Sequence, residues 1–171
     1  MKILSQTTAL DQLKALKADL RAEVAAYEQH AQPCATCNTP GACCLDEHFV
    51  NVRISRLEAV AITNVIDQLT PIRRAAVQER IANTASKLAK YDDTSAPAFA
   101  CPLYEKGTGC LVHHEAKPVP CIIHACYDRP DDLPPDTLQN AAELTIHRLN
   151  HRTYATPTPL TPIPLALSTA K

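Results

Sequence analysis

Glycine is the scarcest structural resource of this chain: three in 171 residues, with no tryptophan and one methionine. Loops that cradle phosphate need several glycines close together, because only glycine lets the backbone approach the anion and adopt positive φ freely. Gly41, Gly107 and Gly109 cannot form a G-x-G-x-x-G or a P-loop, which argues against most nucleotide-dependent enzymes. There is no G-x-S-x-G nucleophile elbow and no H-E-x-x-H zinc motif. No stretch approaches the roughly 18 apolar residues of a membrane span. The opening residues, MKILSQTTALDQLKALK, turn polar after four positions and lack the apolar core of a secretory signal. A soluble cytoplasmic protein with no membrane partner is the expectation.

Net charge is also lacking. The formal value is −1, which exerts no general pull toward nucleic acid or anionic lipid. Residues 51–90 form a mildly basic middle that includes Arg53, Arg56, Arg73, Arg74 and Arg80, and it reads first as a solvated helix face. Nucleic acid is therefore not expected as a partner, and a zinc-dependent nucleic-acid-binding module ranks last among the functional readings.

Cysteine is present in excess. Four of the eight fall in CATCNTPGACC, residues 34–44, and the other four in the segment 101–126, CPLYEKGTGCLVHHEAKPVPCIIHAC. In a reducing cytosol such clusters bind metal or do redox chemistry rather than form a disulfide framework. Thiolates favour zinc, Cu(I) and iron–sulfur clusters. The two-residue gap in CATC lets one turn aim Cys34 and Cys37 at one ion. Cys43 and Cys44 are adjacent, and in extended chain their side chains would diverge, so they are not expected to chelate one ion together. A half-site cannot close a tetrahedron, so the two loops are expected to meet at one metal centre or two neighbouring ones. The candidate ligands are Cys34, Cys37, Cys43, Cys44, Cys101, Cys110, Cys121 and Cys126. His113 and His114 read as solvent-facing, His124 as a minor candidate, and His147 and His151 as surface or core residues.

Periodicity gives a mainly α scaffold. Leu10, Leu13, Leu16, Leu20, Val24 and Tyr27 predict an amphipathic helix over 8–30. FVNVRIS predicts a short strand, and SRLE a capping box at the head of a second helix, with Leu57, Ala61, Val65 and Leu69 as its buried stripe. Pro71 restarts the chain into a third helix burying Val77, Ile81, Ala85 and Leu88. EKGTG predicts a hairpin turn, and PDTLQNAAELTIHRLNHR a last helix with Leu138, Ala142, Ile146 and Leu149 inward. The segment TPTPLTPIPLALSTAK reads as extended, polyproline-like chain without a core. The expected architecture is a small, metal-stabilised helical scaffold with two cysteine-rich loops and a short β-hairpin. Its parts are an N-terminal helix (1–33), a cysteine-cluster metal-binding domain (34–127), a C-terminal helix packing on it (128–154) and a proline-rich tail (155–171).

CATCNTPGACC, followed by VNVRISRLEAVAI and CPLYEKGTGCLVHHEAKPVPC, resembles the YkgJ-type cysteine-cluster family, described as zinc- or iron-chelating domains. Cys34, Cys37, Cys43 and Cys44 match the family's first cluster, Cys101, Pro102 and Leu103 its CPxL segment, and Cys110 and Cys121, with Pro118, its later cysteines. The resemblance spans roughly residues 34–127 and implies metal chelation without a settled biochemical role. A similar domain occurs in a flagellin lysine methylase.

The leading expectation is a protein that binds zinc, or alternatively an iron–sulfur cluster, with the metal structural, carried or sensed. The alternative is an enzyme, redox or methyltransferase-associated, that uses the metal centre. A zinc hydrolase would need an acid such as Glu47 or Glu115 beside an open coordination position. No catalytic residue is assigned, and a protein partner is left open.

Overall fold

The computed structural model describes residues 3–32, 39–45, 51–91, 97–127, 129–156 and 159–170. In chain order its elements are α1 (Gln6–Glu28), β1 (Ala31–Gln32), a 3-10 turn (Ala42–Cys44), β2 (Arg53–Ile54), α2 (Arg56–Asp67), α3 (Pro71–Leu88), β3 (Tyr104–Glu105), β4 (Gly109–Cys110), α4 (Val119–Ile123), β5 (Cys126–Tyr127), a 3-10 turn (Pro130–Asp132), α5 (Asp136–Tyr154), β6 (Thr161–Pro162) and α6 (Ile163–Thr169). The fold is mainly helical, as the periodicity requires. It divides into two units, neither continuous in sequence: Met1–Pro40 with Lys117–Pro159, and Gly41–Ala116 with Leu160–Lys171. That division differs from the expected segmentation. The cysteine-bearing span 34–127 is shared between the units because β1 pairs with β5 and β6 with β2, contacts that no local pattern announces.

In the first unit α1 packs on α5 and α4. Leu4 donates its N–H to the Arg152 carbonyl at 3.0 Å, and the Tyr154 hydroxyl meets Gln6 Oε1 at 3.1 Å, so α1 and α5 run antiparallel. The head of α1 is capped by the Ser5 hydroxyl, which accepts from the Thr8 N–H. Its buried side is Ala9, Leu13, Lys17, Leu20 and Val24. Leu10, Leu16 and Tyr27, expected inward, sit half-buried at the edges, and Lys17 is fully buried in the stripe. In α5 Ala142, Ile146 and Leu149 face inward as expected, joined by Asn150, while Leu138 is half-buried. Strand β1 pairs antiparallel with β5, with Gln32 opposite Cys126.

In the second unit the predicted capping box is present. Ser55 Oγ accepts from the Glu58 N–H at 3.2 Å, and Glu58 Oε2 accepts from the Ser55 N–H at 3.1 Å. Both side chains are buried, so the box is an internal joint between β2 and α2. Burial in α2 falls on Leu57, Glu58, Ala59, Ile62 and Ile66, with Ala61, Val65 and Leu69 half-buried beside them. The helix is thus rotated from its expected stripe. Helix α3 buries Val77, Ile81, Ala85 and Leu88, with Pro71 in its first turn, where the missing N–H costs nothing.

The C-terminal segment departs most from expectation. It is not a coreless tail: Thr161–Pro162 is extended but paired with β2, and Ile163–Thr169 is a helix packed on α2 and α3. Ile163, Ala166 and Leu167 lie in the same apolar cluster as Ile54, Ile62, Ile66, Val77, Ile81, Leu103 and Val112. Proline is compatible with the first turn of a helix, so Pro164 allows α6, and the three- and four-residue steps between Ile163, Ala166 and Leu167 give it one apolar face.

Candidate metal centre

Four cysteines of the second unit come together on two short pieces of backbone. Cys43 and Cys44 lie in the 3-10 turn Ala42–Cys44, which Gly41 opens at φ 78°. Cys101 precedes the turn Cys101–Tyr104, closed by the Tyr104 N–H donating to the Cys101 carbonyl at 3.1 Å, with Pro102 in the position whose φ proline presets. Cys110 closes the hairpin β3–β4, where it stands opposite Tyr104. Gly107 and Gly109 supply positive φ (83° and 93°), the backbone state expected of EKGTG. The two cysteine loops meet: the Cys101 N–H donates to the Cys44 carbonyl at 2.8 Å. All four thiols are half-buried.

The vicinal pair corrects the expectation drawn from extended chain. In the 3-10 turn the sulfurs of Cys43 and Cys44 are 4.0 Å apart. The two side chains therefore do not diverge as they would in extended chain, and their separation is close to the about 3.8 Å between two thiolates bound at about 2.3 Å to one tetrahedral zinc. Among the described residues no three His, Cys, Asp or Glu side chains are already drawn into a ligand set around one point.

The electrostatics carry the mark of crowded thiols. The Cys44 thiol is pushed far above the ordinary thiol range, first by its hydrogen bond with Cys43, then by burial and by the charges of Cys43, Cys101 and Cys110. Burial pushes Cys101 up to about 12, against the pull of backbone N–H groups from Leu103 and Tyr104 on its sulfur, while Cys110 and Cys43 add repulsion. For Cys44 and Cys101 the neighbouring thiols oppose ionisation in the same sense as burial does.

Tyr104 roofs this region. A Cβ added to Gly41 would fall within the Tyr104 ring, so the ring packs directly on the Gly41 backbone beside the Cys43–Cys44 turn. Gly41→Ala combines that clash with left-handed strain, and it is expected to cost about 2 kcal/mol, of which about 1 is the backbone term. Urea unfolding of the single and of Gly41→Ala/Tyr104→Ala would check this. The coupling should recover about half the loss, and additive effects would show that the ring is not what excludes the methyl group.

The remaining candidates divide as follows. Cys34 and Cys37 lie outside the described residues, as does Glu47. Cys121 in α4 and Cys126 in β5 are half-buried members of the other unit. His113, His114 and Glu115 are exposed, with the two imidazoles edge to face at 4.8 Å; His124 and His147 are exposed and His151 half-buried.

Most of the basic middle is spent on the chain itself. Arg53 donates to the Leu160 carbonyl and Arg74 to that of Asp67, Arg73 pairs with Glu105, and Arg80 Nε donates to the Pro102 carbonyl at 3.0 Å. Arg73, then Thr108 and Arg80, hold the Glu105 carboxyl below the usual carboxylate range. The role of α3 in gripping the cysteine hairpin escaped sequence reasoning. Its trace was the seven-residue spacing of Arg73 and Arg80, two turns apart on one face.

No helix among the described residues is long and apolar enough to cross a membrane. Comparison of the chain with protein-family models, curated proteins and solved structures finds no match.

Proposed function

We propose that this chain is a metal-binding cysteine-cluster protein in which Cys43, Cys44, Cys101 and Cys110 hold zinc or an iron–sulfur centre, and that the metal is chiefly structural. The observation that carries this reading is the junction of the two loops, where Cys101 is hydrogen-bonded to Cys44 and the vicinal sulfurs are spaced like two ligands of one ion. Four soft anionic donors match a closed tetrahedral site, which leaves no open position for a substrate and favours structural, carried or sensed metal over hydrolysis. Binding would draw the remaining sulfurs inward by side-chain rotation and tie residues 43–44 to the hairpin. A reducing, cytoplasmic setting belongs to the same proposal, since it keeps the thiols available.

Elemental analysis of anaerobically purified protein tests the reading. About one equivalent of zinc is expected, or about two to four of iron as a single cluster, with brown colour and visible absorption distinguishing iron–sulfur from zinc. Two equivalents of zinc would extend the proposal to Cys34, Cys37, Cys121 and Cys126 as a second set. Less than about a tenth of an equivalent, with a fold indifferent to chelators, would leave the cysteines as packing residues.

A further inference from the structure

We propose that residues 160–170 are an exchangeable element: the face of the second unit on which they dock also takes the same segment from a second copy of the chain, giving a symmetric dimer. The inference does not depend on the metal reading. Unit membership is the first observation. Residues 117–159 belong to the first unit, yet the chain from Leu160 onward belongs to the second. There it is held as a docked peptide would be. Thr161–Pro162 adds a strand beside β2, with Thr161 opposite Ile54. The Ile163 N–H donates to the Val52 carbonyl at 3.1 Å, and Arg53 Nη1 donates to the Leu160 carbonyl at 3.2 Å. Ile163, Ala166 and Leu167 then enter the apolar cluster that β2, α2 and α3 line. Strand addition and a helix laid on an apolar face are both modes by which folded domains capture peptides. Each of these contacts is the same whichever copy supplies the segment, which is the condition for domain swapping.

The second observation is at the hinge. Ala155 ends α5 with φ 57°, the one positive φ outside glycine among the described residues. Left-handed backbone crowds the Cβ of any L residue, so this turn stores strain in the self-docked chain. A short hinge under strain invites exchange, because the swapped form lets the hinge open to ordinary extended backbone. Residues 155–159, Ala-Thr-Pro-Thr-Pro, suit the open form, since a residue before proline favours extended backbone. Against exchange stands the effective concentration of a tethered segment, on the order of millimolar for a short linker. A symmetric dimer relieves two hinges at once, and this offsets part of that advantage.

The test uses the full chain as parent, Ala155→Gly and Ala155→Val, each held at about 1 mM under reducing conditions until its size distribution is constant. Ala155 is exposed, so neither substitution disturbs the core. Glycine adopts left-handed backbone freely and a β-branched residue resists it. Light scattering after size-exclusion chromatography should therefore find the dimer dissociation constant raised on the order of tenfold in Ala155→Gly and lowered by a similar factor in Ala155→Val. In an equimolar mixture of isotope-labelled and unlabelled Ala155→Val chains, filtered NOEs should join Thr161 of one copy to Ile54 of the other. An Ala155→Val protein that stays monomeric at this concentration, or a dimer population indifferent to residue 155, overturns the proposal. A dimer in which Thr161 meets Ile54 only within the same copy is a side-by-side association, and it overturns the exchange as well.

Discussion

Cys101→Ser is expected to lower metal affinity on the order of a hundredfold or more and to bring the melting temperature of the protein down to that of its metal-free form. Serine keeps the size and loses the soft anionic donor, and at a site built from thiolates the binding free energy is also folding free energy. Cys101 is the informative position because its N–H to the Cys44 carbonyl is where the two loops join, a backbone bond that serine preserves. Any loss of metal then reports on the sulfur. The pH dependence follows from the same crowding. The folded chain holds the Cys101 proton up to about 12, against an ordinary value of 9.0. The metal-free fold therefore keeps this contribution to stability below pH 9 and loses it as pH rises toward 12. Metal loading runs in the opposite sense: it displaces thiol protons, so affinity should rise with pH through the neutral range and loading in weak buffer should acidify the solution. Competition against a chromophoric chelator, with thermal melts on parent and variant, reads these outcomes. Parent-like metal content and melting in Cys101→Ser would remove Cys101 from the ligand set.

Ile163→Ala is expected to cost about 2–4 kcal/mol, the usual loss when a buried aliphatic side chain is cut to a methyl group in a packed core. Ile163 is 1% exposed and opens α6, where it joins side chains from β2, α2 and α3, and its N–H donates to the Val52 carbonyl at 3.1 Å. The neighbouring Leu160 is 43% exposed, so Leu160→Ala should stay within about 0.5 kcal/mol. The contrast between the two, measured by urea unfolding, separates a docked C-terminal helix from a trailing tail. Equal and small effects would mean that residues 160–171 add nothing to the core.

Elements whose cause lies within a few residues were legible in the sequence. The Ser55–Glu58 box, the Pro71 start of α3, the inward series Val77, Ile81, Ala85 and Leu88, and the EKGTG hairpin each follow from local hydrogen bonding, proline's fixed φ or helical period, and all are present. The rotation of α2 was less accessible. Leu57, Ala61 and Val65 make as good a stripe as Leu57, Ala59, Ile62 and Ile66 until the neighbouring layer is known, and α6 is part of that layer. Lys17 is fully buried on the interior side of α1, although lysine is a residue type almost never found there.

The gathering of chemistry follows the same line. Sequence alone determined that soft, anionic ligands are plentiful, that glycine for phosphate loops is missing, and that the helices needed to hold two loops are present, since these depend on residue type and short-range period. Tertiary structure decided which cysteines are neighbours: Cys44 joins Cys101 across more than fifty residues, while Cys121 and Cys126 fall in the other unit. It also decided that the proline-rich end would be a helix, because Ile163, Ala166 and Leu167 gain from that geometry only against the apolar faces of α2 and α3. The reason is common to both cases. A thiol's partners and an apolar face's cover are set by contacts distant in sequence, and these appear only once the chain has closed on itself.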